Sequence, residues 1–193
     1  MVFARNERAE GGREAAERAW NAGARVLVLP GVPFGVQTGQ REVPFCLNLN
    51  PTAQLAVLRD LSASLVAHGI HTLVILNGHG GNDFKQLIRE LQGVVPLVIA
   101  QVHWYQVVDA KRYFTEPGDR AGELETSVML HLRGDLVRPL DEAGPGAARP
   151  SPVAAFREGW AWRPRRWVEV TEAPGWATRK RPPRRRVRRP WRR

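Results

Sequence analysis

The run Leu73-Val74-Ile75-Leu76 ends in Asn77-Gly78-His79-Gly80-Gly81-Asn82, and no other stretch constrains the fold as much. An apolar run of strand length bounded by glycines reads as a buried β-strand. After Asn82 the period changes: Phe84, Leu87, Ile88 and Leu91 fall at i, i+3, i+4 and i+7, the spacing of one helical face. A strand, a tight turn and a helix therefore follow one another. In open α/β sheets ligands gather at the carboxyl ends of strands, where this chain places Asn77, His79 and Asn82. Two readings of the corner stand side by side. In one, the glycines supply backbone angles, Asn82 caps the helix and His79 is a polar loop residue. In the other, three glycines clear side chains from an imidazole so that a metal ion or a substrate reaches it.

The flanking chain repeats the alternation. Residues 1–12 show no period and read as a disordered start, after which Arg13 to Ala22 look helical and Gly23 ends the helix. Arg25 to Pro30 reads as a buried strand leading into the loop 33–40. Asn50 and Pro51 have the cap and first-turn chemistry of a helix start, and Leu55, Leu58, Leu61, Leu65 and Val66 supply its apolar face up to Gly69. Val95 to Gln101 reads as a further strand. It runs into His103, Trp104 and Tyr105, where Trp104 and Tyr105 are either a pocket wall or edge packing. Gly122-Glu123-Leu124-Glu125 opens a helix with Leu124, Val128 and Leu132 on one face. Acidic residues in a first turn are ordinary helix-dipole partners. Strands alternating with helices of this length predict an α/β fold, a mainly parallel sheet with helices on both faces.

The net charge of +10 belongs to the carboxyl end. Residues 179–193 hold ten of the 29 Lys and Arg and no acid, which leaves 19 positive against 19 negative charges before them. The body thus has no basic bias, and nucleic-acid binding rests on the tail alone. One cysteine, Cys46, excludes an internal disulfide and fits a reducing, cytoplasmic setting, and no long apolar span suggests a membrane. From about Glu172 the chain loses any pattern a core could use, so 172–193 reads as a basic, disordered tail.

Three motifs carry a resemblance: Leu-Pro-Gly-Val-Pro-Phe-Gly at 29–35, Asn-Gly-His-Gly-Gly-Asn at 77–82 and Ala-Gly-Glu-Leu-Glu-Thr-Ser at 121–127. In this order and at about this spacing the chain, over roughly 13–171, resembles the creatininase family of metal-dependent amidohydrolases. The resemblance implies a three-layer α/β sandwich, a site for divalent ions (zinc or manganese), assembly from identical subunits, and hydrolysis of a C–N bond in a small cyclic or simple amide. Carried over by residue, His79 and Glu123 are metal ligands and Glu125 completes the acidic pair as a catalytic group. Asn82 matches the asparagine after the glycines and joins Trp104 as a substrate contact. Arg120 stands at the family's proton-handling histidine, and Gln40 stands at a first-loop histidine of many members. The family's motif Glu-x-His-Gly-x-His-Leu-Pro-x-x-x-Asp has no counterpart in residues 1–12.

That ligand count predicts an impaired enzyme. A metal-activated water needs more than one imidazole and one carboxylate to hold its ions, and an arginine beside them repels them. The alternative from another class is a noncatalytic subunit or interaction protein on the same fold.

Overall fold

The computed structural model describes residues 7–114, 122–137, 139 and 149–170. Arg120 and the tail 172–193 lie outside the described residues. The chain divides into two compact units: Pro30–Thr38 with Leu47–Val107, and Met1–Leu29 with Gly39–Cys46 and Val108–Arg193.

The first unit is a β-α-β arrangement preceded by a helix. Helix α2 (Pro51–Ala67) leads into strand β1 (Thr72–Asn77), helix α3 (Lys85–Gln92) and strand β2 (Val98–His103). The two strands pair in parallel from Thr72 opposite Val98 to Asn77 opposite His103, so both end at the same level. Parallel neighbours need a crossover, and α3 supplies it. Pro51 opens α2 with a φ suited to a first turn, and Gly69 at φ +73° leaves the helix through the left-handed region. Asn50 occupies the expected cap position without capping. Its Oδ1 accepts from Asn48 Nδ2 at 2.9 Å.

Leu58, Leu87 and Leu91 form the centre of this unit's core, with Leu73, Ile75, Ile99, Leu55, Phe84 and Val95 against them. Burial alternates along β1: Leu73 and Ile75 turn toward α2 and α3, whereas Val74 and Leu76 are 56% and 44% exposed. A continuous apolar run therefore does not mean equal burial of both strand faces. Helix α3 starts at Lys85, with Asp83 Oδ1 accepting the Lys85 N–H at 3.0 Å, so Asn82 is not its cap.

The second unit is helical. Helix α1 (Glu7–Asn21) begins before Arg13, inside the segment expected to be patternless. Gly11 and Gly12 lower intrinsic helicity and mask the period, but packing supplies what propensity lacks. A Cβ at Gly11 would lie 3.8 Å from Leu132 in helix α4 (Glu123–Arg133). Helix α4 buries Glu123, Thr126 and Ser127 more deeply than the expected Leu124, Val128 and Leu132 stripe. Two short helices follow, α5 (Ala154–Glu158) and α6 (Trp167–Val170). The segment 39–46 is pressed against the residues before α6, since a Cβ on Gly39 would lie 1.9 Å from the Arg165 carbonyl oxygen. Arg166 pairs with both Glu42 and Glu169 beside this contact.

The apolar run Arg25 to Pro30 is not a strand. It forms no ladder among the described residues and leaves Leu27 70% exposed. Hydrophobicity alone does not make a strand, because the backbone groups need a partner edge. No described helix is long and apolar enough to cross a membrane.

The core assignment predicts a sharp contrast between two positions. Leu91→Ala, at a site with no exposure, should cost about 2–5 kcal/mol in urea denaturation, whereas Val98→Thr on the exposed face should cost less than about 0.5 kcal/mol.

Candidate functional site

Asn77 and Asn82 hold the corner after β1 through their side chains. Asn77, 2% exposed, accepts the His79 N–H at 3.1 Å with Oδ1 and donates to the Asn82 carbonyl at 3.0 Å with Nδ2. The Asn82 N–H returns to the His79 carbonyl at 3.0 Å. Asn82 then reaches out of the turn, its Oδ1 accepting the Val36 N–H at 2.8 Å and Gln54 Nε2 at 3.2 Å. Gly35 lets that amide approach, because a Cβ there would lie 2.8 Å from Asn82 Oδ1. Asn82 is thus a brace between the corner, the first loop and α2.

The imidazole of His79 folds back over its own turn. Its Nδ1 accepts the Gly81 N–H at 3.0 Å, and a Cβ on Gly81 would come within 2.8 Å of that nitrogen. Glycine at 81 is therefore demanded by the neighbouring ring. An Nδ1 that accepts a hydrogen bond carries the lone pair, which puts the proton of the neutral ring on Nε2. In this arrangement His79 presents an N–H at Nε2, whereas a metal ligand must present a lone pair.

A second polar group stands at the end of β2. His103, opposite Asn77 in the sheet, has Nδ1 at 3.0 Å from both Asn77 Nδ2 and the Tyr105 hydroxyl, and Nε2 at 2.7 Å from Gln101 Nε2. Gln101 Oε1 accepts the Phe84 N–H at 2.8 Å. Trp104 Nε1 donates to the Gly78 carbonyl at 3.3 Å, and its ring meets Tyr105 edge-on at 6.0 Å between centroids. The Tyr105 hydroxyl lies 3.6 Å from where a Gly80 Cβ would stand, so it borders the corner. Burial, and secondarily the charge of Asp83, hold the Tyr105 phenol above its ordinary value of 10.0.

Of the residues singled out from the sequence, His79, Asn82 and Trp104 come together in this unit, Trp104 as a brace on the corner's backbone. Glu123, Glu125 and Gln40 belong to the other unit. Glu123 is buried in the first turn of α4, with Glu125 half-buried beside it. Gln40 ends a short 3-10 turn, its carbonyl accepting the Val43 N–H at 2.9 Å. The sequence reading passed over Gln101 and His103 as site residues and weighed Tyr105 only as a pocket wall or edge packing. Their signal was present: Gln101 and His103 are polar residues two apart on the inward face of an otherwise apolar strand.

The creatinine amidohydrolase family model matches residues 9–182. The chain belongs to the creatininase family. The match extends on both sides of the 13–171 expected from motifs. A crystal structure of a putative creatinine amidohydrolase from Bacteroides fragilis NCTC 9343 is 43% identical, with a TM-score of 0.85 over 92% of this chain and 72% of that one. A Trp-to-Phe mutant creatininase is 27% identical, with a TM-score of 0.61 over 86% and 70% of the two chains. A Glu-to-Gln mutant creatininase complexed with creatine is 28% identical, with a TM-score of 0.53 over 72% and 64%. No curated protein sequence matches significantly. The fold is accordingly the α/β sandwich of this family.

Creatininases are generally metal-dependent, so the fit of these residues to an ion can be tested. Among the described residues no three His, Cys, Asp or Glu side chains form a group able to hold a metal ion, and His79 Nδ1 is engaged by Gly81. The described residues do not fit such a centre.

Two outcomes follow from this geometry. Asn82→Ala orphans the Val36 N–H and the buried Gln54 amide and should cost about 1–3 kcal/mol in urea denaturation. The raised Tyr105 phenol stabilises the fold fully below the unfolded value near 10, a contribution lost as pH rises through the higher folded value. In ultraviolet titration, Tyr105→Phe should remove an ionisation that falls above the ordinary phenol value of 10.0.

Proposed function

We propose that this chain is an amidohydrolase scaffold that receives a small cyclic or simple amide at the corner after β1, and that these 193 residues alone hydrolyse it weakly or not at all. The observation that carries the reading is the corner itself: a glycine-bordered histidine at a strand end, its backbone N–H held by the Asn77 side chain and its ring by the Gly81 N–H, in a chain of the creatininase family. Relatives named as creatininase and putative creatinine amidohydrolase, one of them complexed with creatine, support the substrate class. The polar rim suits such a ligand. Amides offer one strong acceptor and, when unsubstituted, N–H donors, and the rim presents both kinds of partner.

The family resemblance alone assigns His79 and Glu123 as metal ligands, Glu125 as a catalytic carboxylate, and Gln40, Asn82 and Trp104 as substrate contacts. Arg120 at the proton-handling position supplies a fixed charge and cannot shuttle a proton near neutral pH. Two ligands fall short of the three or four a hydrolytic zinc takes, hence the weak turnover. Zinc or manganese as the ion, assembly with identical subunits and a cytoplasmic setting belong to the same proposal. The arginine at the family's proton-handling position favours a second reading, a noncatalytic subunit on this fold.

Elemental analysis after equilibration with zinc or manganese, run beside a creatinine hydrolysis assay, separates these readings. The expected result is less than a full pair of ions per chain and low turnover. Tight binding of a full pair with rapid turnover would refute the impairment. Absence of both metal and amide binding would favour the noncatalytic subunit.

A further inference from the structure

The group at the end of β2 fixes the direction of one hydroxyl. The Phe84 N–H occupies Gln101 Oε1, so the Gln101 nitrogen, which bears only hydrogens, faces His103 Nε2 at 2.7 Å. A ring nitrogen at that distance from a donor must offer its lone pair. Asn77 Nδ2 makes the opposite demand on Nδ1 at 3.0 Å, with Asn77 itself fixed by the His79 N–H and the Asn82 carbonyl. A neutral ring satisfies one amide only. Two N–H groups facing each other at 2.7 Å repel more than at 3.0 Å, and Asn77 Nδ2 retains the Asn82 carbonyl whichever way the ring is protonated. Gln101 therefore decides: the lone pair is on Nε2 and the proton on Nδ1. That N–H lies 3.0 Å from the Tyr105 oxygen, which accepts it. The phenol proton is then directed away from His103.

We propose that Tyr105 is a substrate-recognition residue whose outward O–H donates to the carbonyl oxygen of the bound amide, with Gln101 and His103 as the positioning residues that turn it outward. The hydroxyl borders Gly80, next to His79 in the corner. Its raised ionisation keeps it a donor through the neutral range. The inference rests on the amide reading of the corner and adds to it the group that selects an acceptor oxygen. Trp104 edge-on to the ring and its bond to the Gly78 carbonyl hold the phenol in place, so little ordering is left for the ligand to cost.

The test uses the full chain, 15N-labelled for long-range proton–nitrogen NMR of His103, with creatinine as the calorimetric probe. The expected tautomer carries its proton on Nδ1, and observing it on Nε2 would overturn the relay whether or not anything binds. Tyr105→Phe should weaken creatinine binding about tenfold, the loss of one neutral hydrogen bond. Gln101→Met leaves Asn77 as the amide addressing the ring, so it should move the proton to Nε2, turn the phenol inward and weaken binding by a similar factor. The double variant should lose no more than either single one. If the unaltered chain binds creatinine and Tyr105→Phe binds it equally well, the role of Tyr105 is overturned while the amide reading stands. If the unaltered chain does not bind creatinine, both fall together.

Discussion

The Asn82 side chain is the interaction on which this unit depends. It collects a backbone N–H from the first loop and an amide from α2 while its own backbone closes the turn after β1. A glycine corner has little intrinsic preference for one shape. Here the shape is imposed from outside, by polar groups whose partners are mostly main chain. Such bonds specify geometry strongly because a displaced partner leaves a half-buried donor without an acceptor. The corner can therefore be glycine-rich, and open to a ligand, without being loose.

Core and rim are divided along the strands. Toward the amino ends, Leu73, Ile75 and Ile99 pack on α2 and α3. At the carboxyl ends the same inward face continues as Asn77, Gln101 and His103. A single alternation thus carries both stability and site, and the pairing of Asn77 with His103 sets the two polar groups side by side. Because both residues terminate their strands at one level, the apolar layer insulates the polar one on one side only. Within that layer hydrogen bonds gain strength from the lower local dielectric.

Much of this was legible from the sequence, and the failures have physical causes. Periodicity located α2, β1, α3 and β2, because each must bury one face and repeats accordingly. The corner was legible because glycines bracketing a histidine after a strand are hard to explain by packing alone. Arg25 to Pro30 misled, since an apolar run records the tendency to be buried and says nothing about whether a partner edge is at hand. Helix α1 was read short because Gly11 and Gly12 speak against helix locally, whereas its contact with α4 is a tertiary matter. Asn82 looked like a cap by position. Only the structure reveals that its amide is bound to Val36, 46 residues away. Gln101 and His103 were missed although their two-residue spacing on one strand face was visible, because the sequence does not say that their side chains bond to one another.

The sequence Asn77-Gly78 is of the kind most prone to chemical ageing, since a flexible glycine lets the preceding side-chain carbonyl be attacked by the next backbone nitrogen and lose ammonia. In this chain the hazard lies at the heart of the corner. Yet Asn77 is buried, its oxygen held by the His79 N–H and its nitrogen by the Asn82 carbonyl, so the side chain cannot swing onto Gly78 while the corner is folded. Conversion to aspartate would put an acceptor against the Asn82 carbonyl oxygen and undo the turn that had protected it. The bonds that shape the corner are thus also what preserves it over time, and each excursion that opens the corner exposes it to irreversible damage.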